Sequence, residues 1–408
     1  MAASYAQAMA GPMDGVKAVE LGVWVAGPAA GGILSDWGAD VIKIEPPAGD
    51  PSRTFQRMLG GDMPTNPVFE LDNRSKRSVV VDLTGDEGRA IAAEIIDEAD
   101  VFLTNLRLSA LDRLGLGYQS LAARNPALVY CAITGYGLEG PDADRPAYDI
   151  AAFWARSGIA AQLTPPDGAL PFQRGGMGDH NVGLAAAAAI SAALFHRERT
   201  GEGQMVSTSL FREGMYTIGF DLNILLMWGL NMAVGTREAM GNPAINNYTA
   251  GDGRRFWVVG LEGDRHWPPL ARAAGHPEWI DDKRFATARD RAVNAVELIA
   301  ALDEAFAERT LEEWAEIFAA EPDMFWAPVN SLDDVLADPQ TGPSGALVEV
   351  PDGATGTTML ATPVDFHGTP WAPRHLAPEL GQHTDEVLAG LGRTPEQIAE
   401  LRANGTVA

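Results

Sequence analysis

Five short runs of aliphatic and β-branched residues, separated by stretches with apolar residues at helical spacing, limit what this chain can fold into. The runs occupy 16–21, 41–44, 79–83, 101–105 and 128–134. Strand then helix, repeated, predicts an α/β fold with a parallel sheet and helices on its faces. Residues 86–97 and 109–124 carry the helical pattern. The first crossover opens at Gly27-Pro28, where proline suits the first helical position and the helix N-terminus faces any anion bound there. A nicotinamide dehydrogenase shares this alternation, and Glu45 after the second strand imitates its ribose-binding acid. The run Gly27-Pro28-Ala29-Ala30-Gly31-Gly32 is nevertheless not G-x-G-x-x-G, so the close approach to a pyrophosphate is not specified and no nicotinamide is expected.

Beyond Gln204 the texture changes. Residues 225–325 are richer in Trp, Arg and Pro and carry helical patterns at 294–308 and 311–320, so a smaller second domain is expected there. The length of 408 residues fits two domains. A formal charge of −25 argues against nucleic-acid and anionic-membrane partners, and leaves any anionic substrate dependent on a local basic pocket. The single cysteine, Cys131, lies in an apolar run and reads as a buried strand thiol, which suits a reducing cytoplasm. Residues 1–13 show no basic leader with an apolar core, and no stretch reaches the roughly 18 apolar residues of a membrane span. The histidines show no H-x-x-x-H or H-E-x-x-H spacing, so His180 and His196 read as structural or surface residues and no metal is expected.

The segment Gly175-Gly176-Met177-Gly178-Asp179 precedes an Ala-rich helical run at 184–196. Asp179 has two readings. It is a helix N-cap, or it is a reactive carboxylate that the helix dipole holds ionised while the glycines let a substrate approach the backbone. The two roles are compatible. An aspartate of ordinary pKa, about 3.9, needs no neighbouring base to be ionised at neutral pH.

Further blocks accompany it: Leu-Gly-Val-Trp-Val-Ala-Gly-Pro-Ala at 21–29, Asp-Val-Ile-Lys-Ile-Glu-Pro at 40–46 and Asn-Arg-Ser-Lys-Arg-Ser at 73–78. Later come Ala-Leu-Asp-Arg-Leu-Gly at 110–115, Arg-Pro-Ala-Tyr-Asp at 145–149, Thr-Gly-Glu-Gly-Gln at 200–204, Ala-Pro-Val-Asn at 327–330 and Leu-Gly-Gln-His-Thr-Asp-Glu-Val-Leu at 380–388. Their order and spacing resemble the family III CoA-transferases, the CaiB/BaiF group of formyl-CoA and carnitine CoA-transferases, whose superfamily includes the α-methylacyl-CoA racemases. The resemblance implies a large Rossmann-like domain built from 1–210 and 328–408, a linker at 211–224, a small α+β domain at 225–325, and an interlocked homodimer. It implies transfer of CoA from an acyl-CoA to a free carboxylic acid, through a mixed anhydride and a thioester on Asp179. The family's CoA-contact positions fall here on Ala26, Asn73, Lys76, Arg77, Asn105, Leu106, Arg113 and Tyr148. Where formyl-CoA transferase has an arginine after the second strand this chain has Pro46, with Arg53 as a substitute.

Backbone N–H groups near Gly176 and Gly178 are candidate oxyanion donors. The racemases place a histidine at the position of Tyr148, an aspartate at Asp179 and a glutamate near Glu262. Tyrosine, with a pKa of about 10, is a poor base at neutral pH, which favours transferase over racemase. A CoA-binding protein without catalysis would lack the aspartate. The glycine-run lid of formyl-CoA transferase is absent, and Phe153, Trp154 and Phe172 hint at a larger or more apolar acyl group, or at packing.

Overall fold

The computed structural model describes residues 11–58, 60, 65–351 and 356–408, so residues 1–10 of the expected leaderless start lie outside it. Six parallel strands form the central sheet: β1 (Lys17–Leu21), β2 (Asp40–Glu45), β3 (Arg77–Val80), β4 (Val101–Thr104), β5 (Val129–Thr134) and β6 (Met205–Ser209). Their order is β3-β2-β1-β4-β5-β6. Strand order therefore reverses between β1 and β4, where a crevice opens at the carboxyl ends. Leu21 pairs with Thr104 at that end. The sequence pattern found five of the six strands and missed β6, whose Met-Val-Ser-Thr-Ser lies at a sheet edge and is half-buried along most of its length. An edge strand with that exposure needs no continuous apolar run.

The crossover after β1 is the helix Ala26–Asp36, buried along its whole length. It starts one residue before Gly27 and places Pro28 in its first turn rather than at its first position. Small residues make that depth possible, because the long helix Met177–Thr200 packs directly on it. A side chain on Gly183 would stand 2.9 Å from Ala29 Cβ and 3.1 Å from Ala30 N. Ala30, Ile33, Val182, Ala186, Ala187 and Ile190 fill this seam. The expected helix at 109–124 is two helices, Leu108–Leu114 and Tyr118–Arg124, because Gly115 ends the first in a left-handed conformation (φ 73°).

The chain divides into two units. The larger comprises the described residues up to Ala160, then Phe172–Trp228 and Gly342–Ala408; the smaller comprises Ala161–Pro171 and Gly229–Thr341. The division differs from the expected boundaries at three places. Residues 211–224 are not a linker but belong to the helices Leu210–Thr217 and Gly219–Trp228 of the larger unit. Residues 328–341 stay with the smaller unit, because Pro328 is in its sheet, and 161–171 join it as well. That sheet is antiparallel, with β7 (Ile245–Thr249), β8 (Arg255–Val259) and β9 (Trp326–Pro328) in order. It packs on an aromatic core of Tyr248, Phe256, Trp267, Phe306, Trp314 and Phe318.

The returning C-terminal segment supplies the antiparallel pair β10 (Leu347–Val350) and β11 (Thr357–Leu360), then the helices Thr384–Gly390 and Pro395–Ala403. Helix Thr384–Gly390 closes the free edge of β3: Ser78 N donates to His383 Nδ1 and Val80 N to Thr384 Oγ1. No described helix is long and apolar enough to cross a membrane.

Candidate active site

A cavity of about 260 Å³ opens at the reversal point of the larger unit. Val23, Trp24 and Ala26 line it from the end of β1, Asn105 to Leu108 from the end of β4, and Thr134 and Gly135 from the end of β5. Arg145, Tyr148 and Asp179 complete the wall. The turn after β1 is strained, since Trp24 holds φ at +66° without being glycine. Asp50 Oδ1 fixes it by accepting from Trp24 N at 3.1 Å. Asn105 locks the neighbouring residue: its Oδ1 accepts from Val23 N at 2.9 Å and its Nδ2 donates to Val23 O at 2.8 Å. The Trp24 ring meets Tyr148 edge to face, with centroids 6.1 Å apart.

Asp179 lies in the first turn of helix Met177–Thr200, so it is not the N-cap. Gly176 takes that position at φ 83°, and no side chain caps it. The helix begins earlier than expected because Gly178 lets it approach Asp149 and Phe153. Added there, a Cβ would stand 2.4 Å from Asp149 Oδ1. Gly178 N instead donates to Asp149 Oδ2 at 3.1 Å, while Gln173 Nε2 donates to Oδ1 at 2.7 Å. That amide is consumed and is not a free oxyanion donor, contrary to the sequence expectation. The Asp179 carboxylate accepts no hydrogen bond from the described residues and borders the cavity.

Its charge also departs from expectation. Burial first, then the Asp149 carboxylate, push the Asp179 pKa from 3.8 up to about 7; His180 opposes the rise and Asp72 adds to it. An aspartate so placed is not fully ionised at neutral pH, and the helix dipole does not outweigh burial beside a second carboxylate. Its neighbour His180 contacts buried Asp72, Nε2 to Oδ1, at 3.1 Å. That bond, ahead of the surrounding carboxylate charges, holds the imidazole above its usual pKa against its own burial.

Of the expected CoA-contact residues, the fold brings Ala26, Asn105, Leu106 and Tyr148 to the cavity with Asp179. It does not bring Asn73, Lys76 and Arg77. The Lys76 ammonium is fully buried and donates to Glu20 Oε2 at 2.6 Å, Pro28 O at 2.8 Å and Asn73 Oδ1 at 3.1 Å, so all three protons are used. Asn73 is held by that bond and by donating to Phe69 O. Arg77 pairs with Asp40 and Glu386. Arg53 forks onto Glu45 at 2.7 and 2.6 Å, so it offers no substitute phosphate contact after Pro46. Lys76 instead joins Lys43, Glu20 and Asp50 in a dry ion network beneath the site, with Lys43 Nζ 2.7 Å from Glu20 and 2.9 Å from Asp50. Through Asp50 this network holds the Trp24 turn.

Arg113 is exposed on helix Leu108–Leu114 and does not line the cavity. The cations that do line it, Arg107 and Arg145, were not singled out from sequence. Arg107 directly follows Asn105-Leu106, and that adjacency was the available signal. Phe153 and Trp154 belong to the core, at 2% and 9% exposure, whereas Phe172 is 93% exposed, so none of the three indicates an acyl pocket. Glu262 is exposed on the smaller unit and paired with Arg265. Among the described residues no group of His, Cys, Asp or Glu is arranged to hold a metal.

Residues 13–384 match the family described as CoA-transferase family III. The (R)-2-hydroxy-4-methylpentanoate CoA-transferase of Clostridioides difficile is 34% identical over 97% of this chain and 99% of its own length. The cinnamoyl-CoA:phenyllactate CoA-transferase of Clostridium sporogenes is 33% identical over 95% of each chain. The crystal structure of a CaiB/BaiF family protein from Brucella suis superposes with a TM-score of 0.81 at 33% identity, covering 93% of this chain and 99% of that one.

Proposed function

Because this chain belongs to CoA-transferase family III, we propose that it moves CoA from an acyl-CoA donor to a free carboxylic acid on Asp179. The observation that carries this reading is a carboxylate with no hydrogen-bond partner among the described residues, bordering the cavity at the sheet's reversal point. Asp179 Oδ attacks the thioester carbonyl, the C–S bond breaks and CoA leaves as thiolate with the electron pair. The thiolate attacks the Asp179 acyl carbon of the mixed anhydride, releasing the donor acid as carboxylate and leaving an aspartyl-CoA thioester. The acceptor carboxylate reverses these steps and restores Asp179. No net proton is required.

Arg107 and Arg145 line the cavity together with Ala26 at the N-terminus of helix Ala26–Asp36 and are the proposed phosphate partners, Arg145 by exchanging its exposed pair with Asp142. Arg113 serves the outer end of the nucleotide. Two relatives named for 2-hydroxy-4-methylpentanoate and phenyllactate point to acceptors that are 2-hydroxy acids with an apolar side chain. Helix Gly219–Trp228 buries none of its residues although it carries Phe220, Leu226, Met227 and Trp228, which supports a second copy of this chain as its cover.

The test combines acyl-CoA, acceptor acid and deuterated water. The parent enzyme forms a new CoA ester without deuterium at the acyl α-carbon, and hydroxylamine converts Asp179 to a hydroxamate. Asp179→Ala abolishes transfer and retains the fold. Transfer within tenfold of the parent would overturn the assignment. Rapid α-exchange without acceptor would establish the racemase reading instead.

A further inference from the structure

His180 follows the proposed nucleophile directly and is anchored by a carboxylate from another element. Helix Pro67–Asn73 presents Asp72 to His180 Nε2, in the first turn of helix Met177–Thr200, at 3.1 Å. Asp72 is buried, and its second oxygen, Oδ2, has no hydrogen-bond partner among the described residues. Such a carboxylate is costly to keep ionised unless a cation stands beside it. The imidazole lies beside Gly176, where an added Cβ would be in ordinary contact with His180 Cε1 at 3.4 Å; the positive φ of 83° is what favours glycine there. The His180 side chain is 46% exposed, which lets the ring exchange a proton with solvent.

The charged groups facing this pair come from several elements of the larger unit. Asp72, Asp149 and Asp179 face His180, and Lys76 and Glu20 face Asp72. Around Asp179 stand Asp149 and Asp72, with His180 as the opposing cation.

We propose that His180, anchored by Asp72, is a positioning residue whose imidazolium shifts the adjacent Asp179 carboxylate toward its ionised form before substrate binds. Asp179 borders the cavity with the Asp149 and Asp72 carboxylates behind it, and without an opposing cation their charge would favour its protonated form. The imidazolium moves the balance of the pair toward a proton on His180, so a larger share of Asp179 is ionised and able to attack. The role of Asp179 as nucleophile is taken from the proposed function; its electrostatic coupling to His180 is independent of that reading.

The experiment therefore has two arms. In protein labelled with ¹³Cε1-histidine, His180 is assigned with His180→Gln or, should that variant not fold, His180→Asn. Its NMR midpoint is expected above the ordinary value of about 6.5 in the parent, and lower in Asp179→Asn, where the neighbouring charge is gone. This arm reads coupling whether or not transfer proceeds through Asp179. In the second arm, the acid limb of kcat/KM for His180→Gln moves up by about one pH unit, a roughly tenfold loss on the acid side that vanishes in alkali, with KM for acyl-CoA unchanged. A His180 midpoint indifferent to Asp179→Asn overturns the proposal. So does a His180→Gln profile that superposes on the parent, or a loss equal at all pH values.

Discussion

The proposed role of Asp179 sets two opposed requirements: accessible enough to attack, and sheltered enough that an anhydride on it would survive. Shelter is what raises its pKa to about 7, chiefly by burial and then through Asp149. The sign for stability follows. A carboxyl whose folded pKa exceeds its unfolded value of 3.8 contributes stability below that value and loses it as pH rises through about 7. Above that point the ionised Asp179 costs the fold. Asp179→Asn is expected to match the parent in urea denaturation near pH 4 and to be more stable by roughly 2 kcal/mol at pH 8, after discounting for the solvent-open side. A variant no more stable at pH 8 would show that the site does not press on this carboxylate. From sequence the residue was identifiable and its charge was not, because Asp72 and Asp149 lie far from it along the chain.

The two helices that build the cavity depend on residues without bulk. Helix Ala26–Asp36 is sandwiched between the sheet and helix Met177–Thr200, and Gly183 is the point of closest approach. Gly183→Ala is expected to destabilise by about 1–3 kcal/mol in chemical denaturation, the range for overpacking. Both neighbours, Ala29 Cβ and Ala30 N, are too rigid to yield. Activity should fall with it, since Ala26 opens that helix and also lines the cavity. Unchanged stability would mean the seam is looser than its distances. The Ala-rich run is a local signal of such close packing, whereas the break at Gly115 inside the expected helix at 109–124 is not signalled, since one glycine costs a helix only about 1 kcal/mol.

At the scale of the whole molecule, the smaller unit keeps its core within one continuous stretch, from Ala244 to Phe318 with Trp326 against it. A fragment of residues 229–341 is therefore expected to fold alone and to melt cooperatively by circular dichroism. The chain ended at Thr341 should not retain the larger unit: it lacks Arg374, which donates to Ser35 O, Ala39 O and Ser75 O, and His383 and Thr384, which cover the β3 edge. A cooperative melt of the larger unit in that truncation would overturn this account.

The sequence by itself determined the parallel α/β sheet, the existence of two units and the candidate nucleophile, because side-chain period, glycine placement and motif order are local properties of a chain. Tertiary structure alone decided which cations border the cavity. Lys76 and Arg53 are claimed by Glu20 and Glu45, while Arg107 and Arg145 reach the cavity. A charge is committed by whichever opposite charge the fold brings within bonding distance, and burial then removes the water that would have let it choose otherwise.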